Sequence, residues 1–371
     1  MNFDFSDDEK RLKEEAHGFL NDRCPPKAVR RVLEGELPFD RDLWRGVAEL
    51  GWTGAAIPEA YGGVGLGHVG LCALAEELGA ALAPIPFASS IYLAAEALLL
   101  AGTEAQKSRW LPKLATGQLI GTIAVAEGAE ARSGKPLATS AEGGRLSGTK
   151  LPVADGAYAD IAIVAARTAK SPLALYVVEL NQPEIDRAPV KTIDPSRGHA
   201  RLTFRGAKAE PLGSEADGEA ILKRLYDRAA ILVGFEQVGG ASVALDMACN
   251  YARERYAFGR PIGSQQAVKH KLADVYCAVE LARSNAYWGA WALGADAPEL
   301  PLAAATARVA GSRAFYVASK ENIQVHGGMG FTWEGDCHLY YRRAKHLALM
   351  LGAAPEWKEK LVNEIERRNA A

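Results

Sequence analysis

The sequence has few cysteines and histidines, with five and seven among its 371 residues. The cysteines stand at positions 24, 72, 249, 277 and 337, an odd number without the spacing of zinc ligands or of a redox pair. This pattern argues against a disulfide scaffold and a zinc fold, and it predicts reduced thiols in a cytoplasmic protein. A chain of this length needs no disulfide or metal cross-links for stability, because folding buries about three quarters of the surface that the unfolded chain exposes.

Long apolar runs and an excess of charge of one sign are also absent. The N-terminus is acidic from Asp4 to Glu9 and has no charged-then-apolar leader. The most apolar stretch, Ile91 to Ala101, is about half as long as a bilayer requires, and it contains Glu96. The net charge is −2 and there is no basic tail. We therefore expect neither membrane insertion nor broad electrostatic binding to nucleic acid.

Several catalytic signatures are missing. There is no nucleotide P-loop, no Gly-x-Ser-x-Gly elbow and no histidine pair at metal-ligand spacing. The glycine-rich segment from Tyr61 to Gly67 lies between two helical segments rather than after a strand. A tight backbone crossing is therefore a better interpretation of it than a phosphate cradle.

Three zones with different patterns of apolar, polar and turn residues follow one another along the chain. Residues 1–122 show helical periodicity, opened by a capping box of Ser6 and Glu9. Residues 123–213 contain short β-type runs between turn-rich stretches, and residues 214–371 contain long helices with short loops. The pattern predicts a multi-domain α+β fold. It consists of an N-terminal all-helical domain, a middle antiparallel β-barrel domain and a C-terminal antiparallel helix bundle.

The segment from Arg253 to Asp274 is the most informative for chemistry. A helix rich in arginine ends before Phe258 and Gly259, and the next helix begins near Gln265. Such a corner suits an anion, because Arg255 offers a fork of donors and the next helix offers free N–H groups. The arginine can equally complement the dipole of its own helix, and the residues alone leave both interpretations open.

This segment resembles the Arg-x-x-Phe-Gly-x-x-Ile-x-x-x-Gln pattern of acyl-CoA dehydrogenases. Residues 51–63 resemble the N-terminal signature of that family, and residues 324–331 resemble its Gln-x-x-Gly-Gly-x-Gly segment. The three motifs occur in the family's order over nearly the whole chain. The resemblance implies an FAD between the β domain of one subunit and the C-terminal helices of its neighbour. The residues that would contact the adenylate and pyrophosphate part of the neighbour's FAD are Arg255, Phe258, Gln266, Gln324, Gly327 and Gly328.

Near the flavin ring the chain departs from the family pattern. The family's Thr-Glu-Pro segment is Ala126-Glu127-Gly128 here, with no clear Gly-Ser-Asp after it. The family's Trp-x-Thr or Trp-x-Ser is replaced by Pro152 and Ala154. The resemblance implies that these positions pack on the isoalloxazine and form hydrogen bonds with it. We therefore expect this chain to have lost both kinds of contact.

The catalytic base of the family is displaced as well. Leu351 stands where most members have a glutamate after the Arg-x-Ala-Lys run. A subset of the family places its glutamate before an arginine at the start of the long bundle helix, and that position is Asp227 here. Asp227 is the candidate base, although an aspartate is one methylene shorter. The alternative is a surface carboxylate beside Arg228.

The resemblance thus implies a flavoprotein that desaturates the Cα–Cβ bond of an acyl-CoA thioester in fatty acid or steroid side-chain degradation. Its expected acceptor is an electron-transfer flavoprotein, and its expected assembly is a homo- or hetero-tetramer. The loss of residues on one side of the flavin favours a heteromer with a paralogous subunit. One alternative is a non-catalytic partner that completes the FAD site of a catalytic paralogue. Another is a repurposed acyl-CoA-binding or nucleic-acid-associated member, which the near-neutral charge disfavours.

Overall fold

The computed structural model of the protein describes residues 4–128 and 136–370. Helices precede and follow a region of strands, so the predicted fold class is confirmed. Ser6 opens the first helix as predicted, since its Oγ accepts from the Glu9 N–H and its own N–H donates to the Glu9 carboxylate. The helices before the strands are α1 (Asp7–Arg23), α2 (Pro26–Leu33), α3 (Arg41–Glu49), α4 (Gly67–Ala80), a π-helix (Ala88–Ala95), α5 (Glu96–Ala101) and α6 (Glu104–Ala115).

The helices after the strands are long and begin and end close to their predicted limits. They are α7 (Gly218–Glu254), α8 (Gln266–Gly294), α9 (Leu300–His326), α10 (Cys337–Leu349) and α11 (Ala354–Ala370). Short 3-10 turns occur at Trp52–Gly54, Glu59–Tyr61, Glu215–Asp217, Ile262–Ser264 and Gly327–Phe331.

Helix α7 corrects the expectation about apolar runs. A window of 18 residues within 215–254 has a mean hydropathy of 1.2, which by length and composition is enough for a membrane span. The sequence interpretation, which found no stretch long enough, was wrong on that point. Within the described part of the chain this is the one helix that passes the test, and 78% of the window is buried inside the protein. That degree of burial is what a core helix of a bundle shows.

Eight strands form two four-stranded sheets in the described part of the middle region. They are β1 (Gly121–Ala124), β2 (Ser140–Glu142), β3 (Arg145–Ala154), β4 (Ile161–Ala166), β5 (Ala174–Glu179), β6 (Ile185–Val190), β7 (His199–Lys208) and β8 (Glu210–Leu212). The sheet orders are β1-β4-β5-β8 and β2-β3-β7-β6. The pairs are antiparallel except β1 with β4, which is parallel. Strand β4 is buried on both faces, which explains its uninterrupted apolar sequence.

The chain divides into two compact units that each contain distant parts of the sequence. Residues 1–29, 68–83 and 230–371 form the bundle unit, and residues 30–67 and 84–229 form the sheet unit. The three sequence domains, 1–122, 123–213 and 214–371, stay a prediction.

In the bundle unit, glycines let two helices cross in backbone contact. A Cβ on Gly79 of α4 would lie 2.1 Å from the Glu236 carbonyl oxygen, and one on Gly239 of α7 would lie 1.9 Å from that of Glu76. Neither position accepts a side chain without separating the helices. In the sheet unit, the π-helix lies beside β1, where the Ser90 Oγ accepts from the Gly121 N–H at 3.1 Å.

Candidate functional site

The predicted anion corner is a two-residue hairpin between α7 and α8. Strands β9 (Tyr256–Ala257) and β10 (Arg260–Pro261) pair across Phe258 and Gly259, which have φ angles of 55° and 79°. Positive φ at both central residues is the geometry of a tight hairpin turn. The Phe258 side chain is therefore turned out to solvent and is 98% exposed.

Arg255 and Gln266 stand on either side of this hairpin and are both exposed. The Arg255 backbone is fixed from two directions: its N–H donates to the Tyr251 carbonyl oxygen at 2.9 Å, and its own carbonyl accepts from the Ile262 N–H at 2.8 Å. Gln266 is the first residue of α8. The guanidinium is thus presented to solvent from a rigid turn beside a helix N-terminus.

The second predicted element lies at the C-terminus of α9. Gln324 is in the last turn of the helix, and Gly327 ends it with a φ of 59°. Gly327 and Gly328 are exposed, and a Cβ on either would meet no heavy atom within 4 Å. The missing side chains therefore leave open space next to the backbone, which a ligand can approach closely.

Two contacts bring these elements to one end of the bundle unit. The Tyr251 ring, one turn before Arg255, stacks on the His326 ring with centroids 4.2 Å apart. The Lys271 Nζ at the start of α8 lies 3.0 Å from the Glu321 Oε2 in α9. The structure thus places the six predicted adenylate-side residues on neighbouring turns, which we call the adenylate corner: Arg255, Phe258, Gln266, Gln324, Gly327 and Gly328.

Large apolar side chains surround the adenylate corner and face solvent. Phe331 is 84% exposed, and Tyr256, Met329 and Trp333 each expose about half of their surface or more. A cluster of this kind on one end of a bundle is typical of a surface that another molecule covers.

In the sheet unit, the two segments predicted to face the flavin ring lie side by side. The Leu151 N–H donates to the Ala126 carbonyl at 2.8 Å, and the Gly128 N–H donates to the Leu151 carbonyl at 2.7 Å. Ala126 and Pro152 are exposed and Ala154 is half-buried. These three positions form a surface that we call the ring-facing edge. It carries neither an aromatic ring nor a hydroxyl at any of them. The segment where a Gly-Ser-Asp was sought extends into 129–135, outside the described residues.

A buried ion pair lies directly behind this edge, and the sequence analysis missed it. The Lys150 side chain has no exposed surface, and its Nζ lies 2.7 Å from the Glu127 Oε1. Burial alone would raise the pKa of Glu127, but hydrogen bonds from Lys150, Thr139 and Ala138 lower it to about 2. The alternation of inward and outward side chains along β3 could have predicted this burial, because Lys150 occupies an inward position.

The candidate base, Asp227, is 2% exposed near the start of α7. The alternative interpretation as a surface carboxylate beside Arg228 is therefore wrong. Arg228 is itself buried and pairs through its Nε with the carboxylate of Glu96 in α5. Leu351, at the position of the family's usual glutamate, is buried and apolar, so it supplies no base.

Comparison with known proteins identifies the chain. The acyl-CoA dehydrogenase N-terminal domain matches residues 6–118, and the acyl-CoA dehydrogenase C-terminal domain matches residues 217–355. The acyl-CoA dehydrogenase IpdE2 of Mycobacterium tuberculosis is 32% identical over 95% of this chain and 96% of its own length. The chain belongs to the acyl-CoA dehydrogenase family.

Solved structures of this family have the same fold. A chain of the ChsE4–ChsE5 complex of Mycobacterium tuberculosis superposes with a TM-score of 0.90 at 29% identity, over 99% of both chains. A chain of a Tcur3481–Tcur3483 steroid ACAD variant gives a TM-score of 0.88 at 30% identity, over 98% of this chain and 99% of the other. Acyl-CoA dehydrogenases are flavoprotein oxidoreductases of fatty acid and steroid degradation.

The two candidate faces fit the family cofactor unequally. The adenylate corner suits the phosphates of an FAD, because it offers an exposed guanidinium and open space at Gly327 and Gly328. The edge at Ala126, Pro152 and Ala154 offers the isoalloxazine only backbone groups and small apolar side chains. The residues therefore fit the nucleotide half of FAD well and the ring half poorly.

Proposed function

We propose that this chain is one subunit of an FAD-dependent acyl-CoA dehydrogenase whose flavin site is shared with a paralogous subunit. The observation that carries the proposal is the contrast between the complete adenylate corner and the reduced edge at Ala126, Pro152 and Ala154. In the family, each FAD contacts both faces, one from each of two subunits. A chain with one complete face can complete a site whose ring face comes from another chain.

The exposed surface around the adenylate corner supports a shared site. Phe258 and Phe331 are almost fully exposed on the single chain, and a neighbouring subunit with its FAD would cover them. Two structural neighbours are complexes of differently named chains, ChsE4 with ChsE5 and Tcur3481 with Tcur3483. The second is a steroid enzyme, which favours a steroid-derived acyl-CoA over a simple fatty acyl-CoA as substrate.

Asp227 is the residue of this chain that we assign to proton transfer. FAD, when bound, supplies a hydride acceptor for the substrate Cβ. The Asp227 carboxylate takes the proton from Cα, and the electron pair of that C–H bond becomes the new Cα=Cβ bond. Its burial excludes water that would otherwise compete for the proton. An electron-transfer flavoprotein is the proposed acceptor of the two electrons.

A second candidate function is that of a non-catalytic partner. Its supporting observation is that the chain has Leu351 in place of the usual glutamate and an aspartate in place of the alternative one. Under this proposal only the adenylate corner contributes to the reaction, and it does so at the FAD of the paralogue.

The deciding experiment is the visible absorption spectrum of the purified protein with FAD counted per chain. It is measured on the chain alone and after co-expression with a paralogue that has Trp-x-Thr. We expect a colourless chain alone and about one flavin per two chains in the complex. One flavin per chain in the protein alone would contradict the shared site and indicate a homo-oligomeric flavoenzyme.

A further inference from the structure

A stacked pair of aromatic rings connects the two turns of the adenylate corner. The ring of Tyr251, in the last turn of α7, stacks on the ring of His326, the last residue of α9, with centroids 4.2 Å apart and planes inclined by 28°. Both side chains are half-buried at one end of the bundle unit. The pair is therefore a contact between two helix ends rather than a part of the helix core.

The imidazole of this pair has a fixed orientation. The His326 Nδ1 lies 2.8 Å from the Asn322 carbonyl oxygen, one turn earlier in α9. A carbonyl oxygen only accepts, so Nδ1 carries the hydrogen of this bond. A Cβ on Gly330 would lie 3.0 Å from the His326 Cβ, so the turn Gly327–Phe331 returns closely against this side chain. The backbone that follows His326 thus begins from a fixed point.

Backbone hydrogen bonds connect the two rings to the groups that are predicted to meet FAD. The Arg255 N–H donates to the Tyr251 carbonyl at 2.9 Å. The Gly327 N–H, directly after His326, donates within the last turn of α9. A displacement of either ring would therefore change the separation between the Arg255 guanidinium and the open backbone at Gly327 and Gly328.

This separation matters for an anionic ligand because the groups that would bind it lie on different helices. The guanidinium comes from the end of α7, and the unobstructed backbone comes from the end of α9. Groups that are held in place before a ligand arrives bind it more tightly, because the cost of ordering them is avoided. A stacked aromatic pair contributes enough free energy to change such an equilibrium about two- to tenfold.

We propose that Tyr251 and His326 are positioning residues that hold Arg255 and the backbone of Gly327 and Gly328 at the separation that one pyrophosphate group requires. The proposal rests on the proposed function for the identity of the ligand, the FAD whose ring is bound by the paralogous subunit. The two rings act through the groups that they position, and they act entirely within the bundle unit.

The first test compares variants that remove a ring with variants that keep one. We expect Tyr251→Leu and His326→Ala to weaken FAD binding to the co-expressed complex about two- to tenfold, and Tyr251→Phe and His326→Phe to stay within about twofold of the unmodified complex. Fluorescence titration, at a temperature where every variant is folded, measures the affinity. Tyr276→Leu, at an exposed tyrosine of α8, is the matched control. Equal losses for His326→Phe and His326→Ala would overturn the proposal, because the imidazole nitrogens and not the stack would then be responsible.

A double-mutant cycle separates positioning from general packing. If His326 acts through the placement of Arg255, the loss of FAD affinity caused by His326→Ala should be smaller when Arg255→Ala is already present. Additive losses would overturn the role toward Arg255, since the two residues would then contribute independently.

Hydrogen exchange on the unliganded chain gives a measurement that does not depend on FAD. In His326→Ala we expect the Arg255 amide, which lies on the other helix, to exchange about two- to tenfold faster, with the amides of α4 unchanged. His326→Phe should leave the Arg255 amide as it is. Unchanged exchange at Arg255 in His326→Ala would overturn the proposal, and so would faster exchange throughout the bundle unit. If the unmodified complex takes up no flavin, the proposed function fails, and the exchange measurement alone decides whether the rings position the corner.

Discussion

The adenylate corner of the bundle unit and the ring-facing edge of the sheet unit are the two surfaces of this chain that are predicted to contact FAD, yet they differ in what they retain. The corner keeps an exposed guanidinium, two glycines without obstruction and a ring of exposed apolar side chains. The edge keeps its buried support, Glu127 and Lys150, but presents Ala126, Pro152 and Ala154. A homo-oligomer needs both faces on every chain, whereas a heteromer needs each face only once. This difference is the basis of the proposed division of labour between unlike subunits.

The largest effect is expected for Asp227→Asn, which tests whether the sheet unit contributes chemistry at all. An amide cannot accept the Cα proton, so we expect substrate-dependent flavin reduction in the complex to fall about 1000-fold. Rapid-mixing absorption at the flavin band measures it. The control is Asp217→Asn, an exposed aspartate just before α7. Undiminished reduction would reject Asp227 as the base and favour the non-catalytic partner.

Gly328→Val tests the open space at the adenylate corner. A side chain there meets no protein atom within 4 Å, so the fold should tolerate it while a phosphate cannot approach the backbone. We expect FAD affinity in the complex to fall about 100-fold with little change in Tm. Gly18→Val, at an exposed and equally unobstructed position of α1, serves as the control. Full FAD occupancy in the variant would mean that this face binds no nucleotide.

Arg255→Ala removes the charge of the corner but leaves its shape. We expect FAD to bind about 10- to 100-fold more weakly, the range for losing a charged hydrogen bond. The loss should shrink as salt is added, because the phosphates are then screened. Arg253→Ala is the matched variant, since that side chain is exposed and bonds to the Asn250 Oδ1 at 3.0 Å. Equal losses for both arginines would point to a diffuse basic surface.

Ala154→Ser restores a hydroxyl to the ring-facing edge. If an isoalloxazine lies against this edge, we expect about two- to tenfold tighter FAD binding to the chain, the gain of about one hydrogen bond. If the ring face of the working site belongs to the paralogue, affinity should not change. Fluorescence titration with FAD, on the chain alone and in the complex, distinguishes the two cases and thereby sharpens the comparison.

The smallest effect concerns acid stability through Glu127. Its folded-state pKa of about 2 lies below the ordinary value of 4.5, so the unfolded chain binds more protons in that range. The stabilisation is complete above pH 4.5 and is lost as the pH falls toward 2. We expect Glu127→Gln to flatten the decline of Tm between these values, as measured by thermal unfolding at each pH. Glu142→Gln, an exposed carboxylate on β2, should leave the decline unchanged.

Sequence patterns predicted the limits of the long helices well because local breaks, such as Phe258-Gly259 and Gly327-Gly328, end a helix in any tertiary context. The ends of α7, α8 and α9 fall within about two residues of the predicted limits. The patterns failed where burial depends on distant partners. The alternative interpretation of Asp227, a surface carboxylate beside Arg228, failed because Arg228 is buried and pairs with Glu96, more than a hundred positions earlier in the chain.

The order of motifs and the replacements at Ala126, Pro152, Ala154 and Leu351 are properties of the chain as written, and they were enough to establish the family and its departure from the common pattern. The sequence did not show which of its segments lie close together in the folded chain. The stacking of Tyr251 on His326 and the burial of Lys150 with Glu127 both depend on segments that meet only after folding. Local periodicity records which side of an element is apolar, but only packing determines which element covers it.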